Sequence, residues 1–222
     1  MKRHHRNGFS LIELVIAIAI MSILAGVAVP VAMKSLTSKA RKATRDEIEL
    51  LSLGVQDFFR DTNQLPTTLV ELEVAPVPAL AGWSGPYLPG AVADSISGSS
   101  GYQVDAWSRA YDYSIVGDVA TIRSRAEDGM ASTTDDLSID VNVTFLRREA
   151  TLDQLRIINQ AVSAYNATYA FAPPLPTTYA SIRTTLTTEG LLPASGYDVD
   201  AWGTAFEPEA TPVVKIRSVN LN

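Results

Sequence analysis

Gly8-Phe9-Ser10-Leu11-Ile12-Glu13-Leu14 opens an apolar run that continues from Leu14 to Met33 as LVIAIAIMSILAGVAVPVAM. Those twenty residues carry no charge, and Ser22 is their only polar side chain. At 1.5 Å per residue, twenty helical residues span roughly 30 Å, the thickness of a bilayer's hydrocarbon core. A basic lead with Lys2, Arg3 and Arg6 stands in front. A cleaved secretory signal is one reading, with Gly26-Val27-Ala28 as its small-residue cut site. The run is long for that, and it begins at a charge, Glu13. A plain membrane anchor fits the length. It leaves the carboxylate at the mouth of the run without a purpose, although ionisable residues in membrane helices are costly and usually functional.

A third reading accounts for Glu13. The stretch Gly8 to Leu14 resembles the prepilin processing motif of type IV pilins and type II secretion pseudopilins. The resemblance implies that a prepilin peptidase cuts between Gly8 and Phe9 and methylates the new amino terminus. Glu13 is then the fifth residue of the mature chain, and Pro30 falls where the family often has a helix-bending proline. Phe9 and Glu13 stand i,i+4, so the new ammonium and the carboxylate share a helix face. The first-turn position also suits a negative charge at the positive end of the helix dipole. An unpaired carboxylate in a membrane costs about 2.5–3.5 kcal/mol, and pairing with an amine relieves that cost. In the family reading the amine belongs to a neighbouring subunit and the pair sets axial register. A pair within one chain is the alternative, and the sequence leaves both open. The loop-charge rule for membrane orientation conflicts mildly with a cytoplasmic leader, because Lys34, Lys39, Arg41, Lys42 and Arg45 follow the apolar run. The resemblance to the processing motif implies a cytoplasmic leader.

The 222 residues hold 18 basic and 24 acidic side chains, no cysteine, and two histidines, His4 and His5. Disulfides, thiolate metal sites and cysteine nucleophiles are excluded. A Ser-His-Asp triad would need its base from the basic leader. Beyond Arg45 the balance is 10 basic to 23 acidic, or −13, which speaks against nucleic acid as a partner. Paired carboxylates such as Glu71/Glu73 or Glu207/Glu209 have no supporting motif, so no enzyme is expected and no catalytic residue is assigned.

Past the apolar run the helical pattern persists. Ile48, Leu51, Val55, Phe58 or Phe59, and Thr62 recur at three- and four-residue steps, with Asp46, Glu49 and Asp57 opposite. One helix from Phe9 to about Asp61, kinked near Gly26 and Pro30, is expected. Pro66 prevents its continuation. The remainder repeats itself. Leu65-Pro66-Thr67-Thr68 returns as Leu175-Pro176-Thr177-Thr178, Gly101-Tyr102-Gln103-Val104-Asp105-Ala106-Trp107 as Gly196-Tyr197-Asp198-Val199-Asp200-Ala201-Trp202, and Ile122-Arg123-Ser124 as Ile216-Arg217-Ser218. A helical stripe from Leu152 to Tyr169 precedes the second copy. Tyr111–Val116 and Val119–Arg123 flank Gly117-Asp118 as a hairpin. Leu137, Ile139, Val141 and Val143 alternate with polar residues as a half-buried strand. Copy two offers a strand from Val213 to Ser218, and residues 76–101 read as a long loop.

The expected fold is therefore α+β: a leader (1–8), a membrane-spanning assembly half-helix (9–33), an amphipathic half (34–62), a first head (63–145) with a small antiparallel sheet, and a second, related head (146–222). Asp-Ala-Trp resembles the Asp-x-Trp-Gly signature of the major pseudopilin, with Gly203 kept in copy two and Ser108 in copy one. Trp107 and Trp202 read as core residues over the sheets, and Asp105 and Asp200 as turn-forming carboxylates. Arg125 to Leu137 resembles that family's acidic calcium loop. The resemblance implies carboxylate ligands from Asp128, Asp135 and Asp136 and main-chain carbonyls from Arg125 and Thr133. Calcium takes six to eight oxygens on a flexible loop. The spacer lacks the usual glycines, and Arg125 brings a positive charge, so a solvated acidic turn is the competing reading. The resemblance further implies a pseudopilus subunit that drives protein secretion. Its partners would be copies of itself, other pseudopilins, the prepilin peptidase, an inner-membrane assembly platform and the membrane. The heads would lie in the periplasm. A type IV pilus subunit for adhesion, motility or DNA uptake, and a membrane-anchored binding protein that never polymerises, are the alternatives.

Overall fold

The computed structural model describes residues 11–90, 102–168, 174–209 and 215–221. Helix α1 spans Leu11–Thr62 and runs unbroken through Gly26 and Pro30. Among the described residues its apolar window is uncovered, and large side chains from Leu11 to Leu36 are exposed. Burial begins at Thr44 and continues on one face through Ile48, Leu51, Val55, Phe58 and Phe59. The helix ends on Asn63, whose φ of 55° is left-handed and whose N–H donates to the Phe59 carbonyl at 2.7 Å. That is the single-bond left-handed cap, in which asparagine often stands in for glycine.

The rear half of α1 lies on a three-stranded antiparallel sheet of β1 (Asp112–Val116), β2 (Val119–Ser124) and β3 (Leu137–Asn142), in the order β1-β2-β3. The hairpin turns on Gly117-Asp118 as its sequence requires, with Gly117 at φ 59°. Ala120, Ile122, Leu137, Val141 and Val143 meet the α1 face, and Leu69, Leu72 and Leu88 close the core from the loop side. Gly54 marks the tightest approach. A Cβ there would stand 2.9 Å from Leu88 Cδ2, so the loop packs directly against helix backbone.

Helix α2 (Thr144–Thr168) follows β3 almost immediately. The boundary expected between residues 145 and 146 thus falls inside its first turn, where Leu146 still packs in the first core. The rest of α2 builds a second core. Ile158, Ala161, Val162 and Tyr165 pack against Tyr179, Ile182 and Leu186 of α3 (Tyr179–Thr188), with Leu192, Phe206 and Ile216. The i, i+3, i+7 spacing of Tyr179, Ile182 and Leu186 is the helical signal of this segment. The same place in the first unit holds one 3₁₀ turn, Leu69–Leu72. The second sheet is minimal: β4 (Glu207–Pro208) pairs with β5 (Ile216–Arg217). The strand expected from Val213 is described only from residue 215 onward, and Tyr169 also lies outside the described residues.

Candidate functional site

Two regions carry the candidate residues. The first is the start of α1. Glu13 stands in its first turn. Gly8 and Phe9 lie outside the described residues.

The second is the loop between β2 and β3. Asp128, Asp135 and Asp136 each offer one oxygen, and these atoms lie within 4.8 Å of one another. The Thr133 hydroxyl sits among them, 2.7 Å from Asp135 Oδ1, 3.1 Å from Asp136 Oδ1 and 3.5 Å from Asp128 Oδ1. The backbone shapes the loop through the same carboxylates. Met130 N–H donates to Asp128 Oδ1 and Ser132 N–H to Asp136 Oδ2, each at 2.8 Å. The hydroxyl of Thr133 holds the Asp135 carboxyl below the usual carboxylate range. Ligands of one calcium ion sit 2.3–2.6 Å from it, hence no more than about 5 Å apart, so this carboxylate spacing suits a single hard cation.

Arg125 resolves its own conflict with the acidic cluster. Its guanidinium turns onto β1 and binds both oxygens of Asp112, at 2.8 and 2.7 Å. The main-chain carbonyl of Arg125 accepts from Gly129 N–H at 3.1 Å, which leaves one lone pair for another donor or ion. Gly129 has φ 70° and lies under the Arg109 guanidinium, whose Nη1 donates to the Ala126 carbonyl. The left-handed conformation favours glycine there. Thr133 contributes a hydroxyl at the cluster, a donor the sequence reading did not count.

The two Asp-Ala-Trp turns are built alike. Asp105 Oδ1 accepts from the N–H groups of Trp107 and Arg109, and its Oδ2 accepts from Ser124 Oγ at 2.5 Å. Asp200 Oδ1 accepts from Trp202 and Thr204, and its Oδ2 from Ser218 Oγ at 2.6 Å and Asn220 Nδ2 at 2.9 Å. Burial alone would raise the Asp200 carboxyl, but these donors outweigh it and hold it below its ordinary value. A fully buried helix hydroxyl anchors each turn. Thr44 accepts from Ala106 N–H at 3.2 Å, and Thr151 from Ala201 N–H at 3.1 Å. The turn-forming role read for both aspartates is what the geometry contains.

The tryptophans differ from their reading. Trp107 and Trp202 are half-buried rather than core, and the Trp202 indole N–H reaches Asp118 of the first hairpin at 3.3 Å. Asp118 also takes Arg147 at 2.8 Å. Arg147 stacks 4.9 Å over the Phe59 ring and donates to the Ala201 carbonyl. This junction between the units was invisible to motif reading, because its members lie far apart in the chain.

A family model described as a prokaryotic N-terminal methylation motif matches residues 3–29. Competence protein ComGC of Halalkalibacterium halodurans is 36% identical over 70 residues, which cover 32% of this chain and 69% of that protein. No solved structure matches the chain.

Proposed function

The chain belongs to the type IV pilin-like family, and from that footing we propose that it is a structural subunit of a type II secretion pseudopilus. It is a membrane-anchored structural protein and not an enzyme. The observation that carries the proposal is the front of α1, whose apolar side chains from Leu11 to Leu36 are exposed among the described residues and whose first turn holds a carboxylate. A membrane covers that surface before assembly, and neighbouring helices cover it after. Prepilin peptidase cuts after Gly8 and methylates Phe9. Glu13 then pairs with the amine of Phe9 in a neighbouring subunit, so that burial of the carboxylate is tolerable only in one axial register. The anchor lies in the inner membrane with both heads in the periplasm. An assembly platform extends the filament.

The second unit reads as a repeat of the first, with its own Asp-Ala-Trp turn held by a helix threonine but no membrane half. Calcium belongs to the same proposal. Asp128, Asp135 and Asp136, with the Arg125 and Thr133 carbonyls, would hold the ion, and its charge would fix the start of β3 against the sheet. A second reading, a subunit of a DNA-uptake filament, is favoured by the relative from Halalkalibacterium halodurans, which is named a competence protein.

Substitution Glu13→Ala tests the core of the proposal. Filament incorporation, read by shearing and by cysteine cross-linking of neighbours, is expected to vanish while membrane insertion persists. Unchanged incorporation would overturn it. Loss of protein secretion with intact transformation in a deletion strain supports the secretion role, and the reverse pattern supports the uptake role.

A further inference from the structure

The pattern beyond the apolar run continues along one helix face. Pro30, Met33, Lys34, Thr37, Arg41 and Arg45 line a crevice of about 790 Å³ between α1 and the base of the first head. At 100° per residue, Lys34, Arg41 and Arg45 fall within an arc of about 40°, with Lys42 about 60° beyond its edge. The far wall is Glu127 of the acidic loop, whose carboxylate accepts from the Thr37 hydroxyl at 3.3 Å. None of the ion pairs among the described residues involves Lys34, Arg41, Lys42 or Arg45. The floor is apolar and continuous with the exposed apolar half of α1.

Depth decides what reaches it. The polar region of a bilayer adds about 5–8 Å on each side of the hydrocarbon core. Lys34 to Ser38 occupy that layer if the core ends at Met33. Arg41 and Arg45 start about 12–18 Å beyond Met33, but helix side chains tilt toward the N-terminus, so these guanidiniums point back at the membrane surface. Lys34 thus stands in the headgroup layer, Arg41 reaches back into it and Arg45 lies one turn above, over a hydrophobic wall for an acyl chain. Guanidinium forks match phosphate oxygens in geometry.

We propose that this crevice binds the phosphate headgroup of an anionic phospholipid, held by Lys34, Arg41 and Arg45, with its acyl chain along Pro30 and Met33. Glu127 limits the affinity by competing for the same cations. A neighbouring copy's head is the other conceivable occupant. Its acidic surface would also suit the cations, but it brings no acyl chain for the apolar floor of Pro30 and Met33. The inference rests on the membrane-anchored reading of α1.

The full chain is reconstituted into phosphatidylcholine vesicles, and flotation first verifies insertion. Failure to insert would sink the anchored reading itself. With insertion established, spin-labelled phosphatidylglycerol and phosphatidylcholine are compared by the motionally restricted fraction of each. Wild-type protein is expected to prefer the anionic lipid about fivefold, on the scale of one well-placed cation at a membrane surface. Arg41→Gln with Arg45→Gln brings the ratio near one. Arg41→Lys with Arg45→Lys retains most of it, and Glu127→Gln raises it. Millimolar inorganic phosphate leaves the ratio unchanged if the lipid is the ligand. Equal association of both lipids with the inserted wild-type chain would overturn the proposal. So would a preference that survives the double glutamine change, or one abolished by free phosphate. Loss of cross-links between copies in the glutamine variant, with the lipid ratio unmoved, would assign the crevice to a neighbouring head and overturn it equally.

Discussion

Glu47 gives the protein a pH dependence of definite sign. Its carboxylate lies on the α1 face toward the first head and accepts from the Tyr111 hydroxyl at 2.9 Å. Desolvation by burial raises it from its ordinary value near 4.5 to about 7, with the Tyr111 hydrogen bond opposing and the charge of Asp105 adding to the rise. Burial likewise pushes the Tyr111 phenol up, so it remains a donor throughout. Between pH 4.5 and about 7 the unfolded chain releases this proton while the folded chain keeps it. Stability therefore falls as pH rises across that window and stays reduced above it. At full strength such a shift corresponds to about 3 kcal/mol. Glu47 is only partly buried, so solvent screening reduces the expected effect to about 1–2 kcal/mol. Glu47→Gln keeps an acceptor for Tyr111 and removes the titration. Urea unfolding of the full chain in detergent, followed by tryptophan fluorescence from pH 4.5 to 8, measures the difference between the two proteins. The glutamine variant is expected to match wild type at pH 4.5 and to exceed it by about 1–2 kcal/mol at pH 8. A difference that does not change with pH would refute the argument.

Three further outcomes follow from the same structure. Arg147→Met removes a half-buried ion pair with Asp118 and the contact on Phe59, and should loosen the junction of the two units by about 2–4 kcal/mol, from charge-assisted bonds of ~1.5–3 and a cation–π contact of ~0.5–1. The readout is protease cleavage within α2 under native conditions, and wild-type resistance would count against it. Asp200→Asn should cost about 2 kcal/mol near neutral pH, since hydrogen bonds to a charged group are worth ~1.5–3. Its carboxyl is held low, so its contribution is complete above the unfolded value near ~3.9 and is lost as pH falls through the lower folded value. The deficit of the variant should therefore shrink in acid, and denaturant melts at pH 2.5 and 7 check this. Calcium at a hundredfold excess over its dissociation constant should raise stability by about 2.7 kcal/mol, chelator should reverse the gain, and Asp135→Asn with Asp136→Asn should abolish it. Equal calcium response in the double variant would remove the acidic loop from consideration.

What the sequence made legible was what depends on neighbours in the chain. Twenty uncharged residues announce a span, Gly117-Asp118 between β-rich segments announces a hairpin, and Asn63 before Pro66 announces a helix end, each through local conformational preference. The acidic loop was legible as a cluster for the same reason, since Asp128 and Asp135 are seven positions apart. Its electrostatics were not. Arg125 looked like a rival for the cation, yet Asp112 on the adjacent strand takes it, a pairing that exists only because β1 and β2 are antiparallel in the observed register.

The misreading of Trp202 has the same origin and a consequence for assembly. Reading both Trp107 and Trp202 as core residues assumed that each unit is closed within itself. Yet among the described residues the second unit has a two-residue strand pair to cover its helix, while the first has three strands. Its Trp202 and Ala201 carbonyl instead engage Asp118 and Arg147, so its base is closed by the first unit's hairpin and by the helix that joins them. The junction ties the second unit to the first through Asp118 and Arg147. A filament built through α1 would then carry both heads in one orientation, set by the same register that Glu13 is proposed to choose.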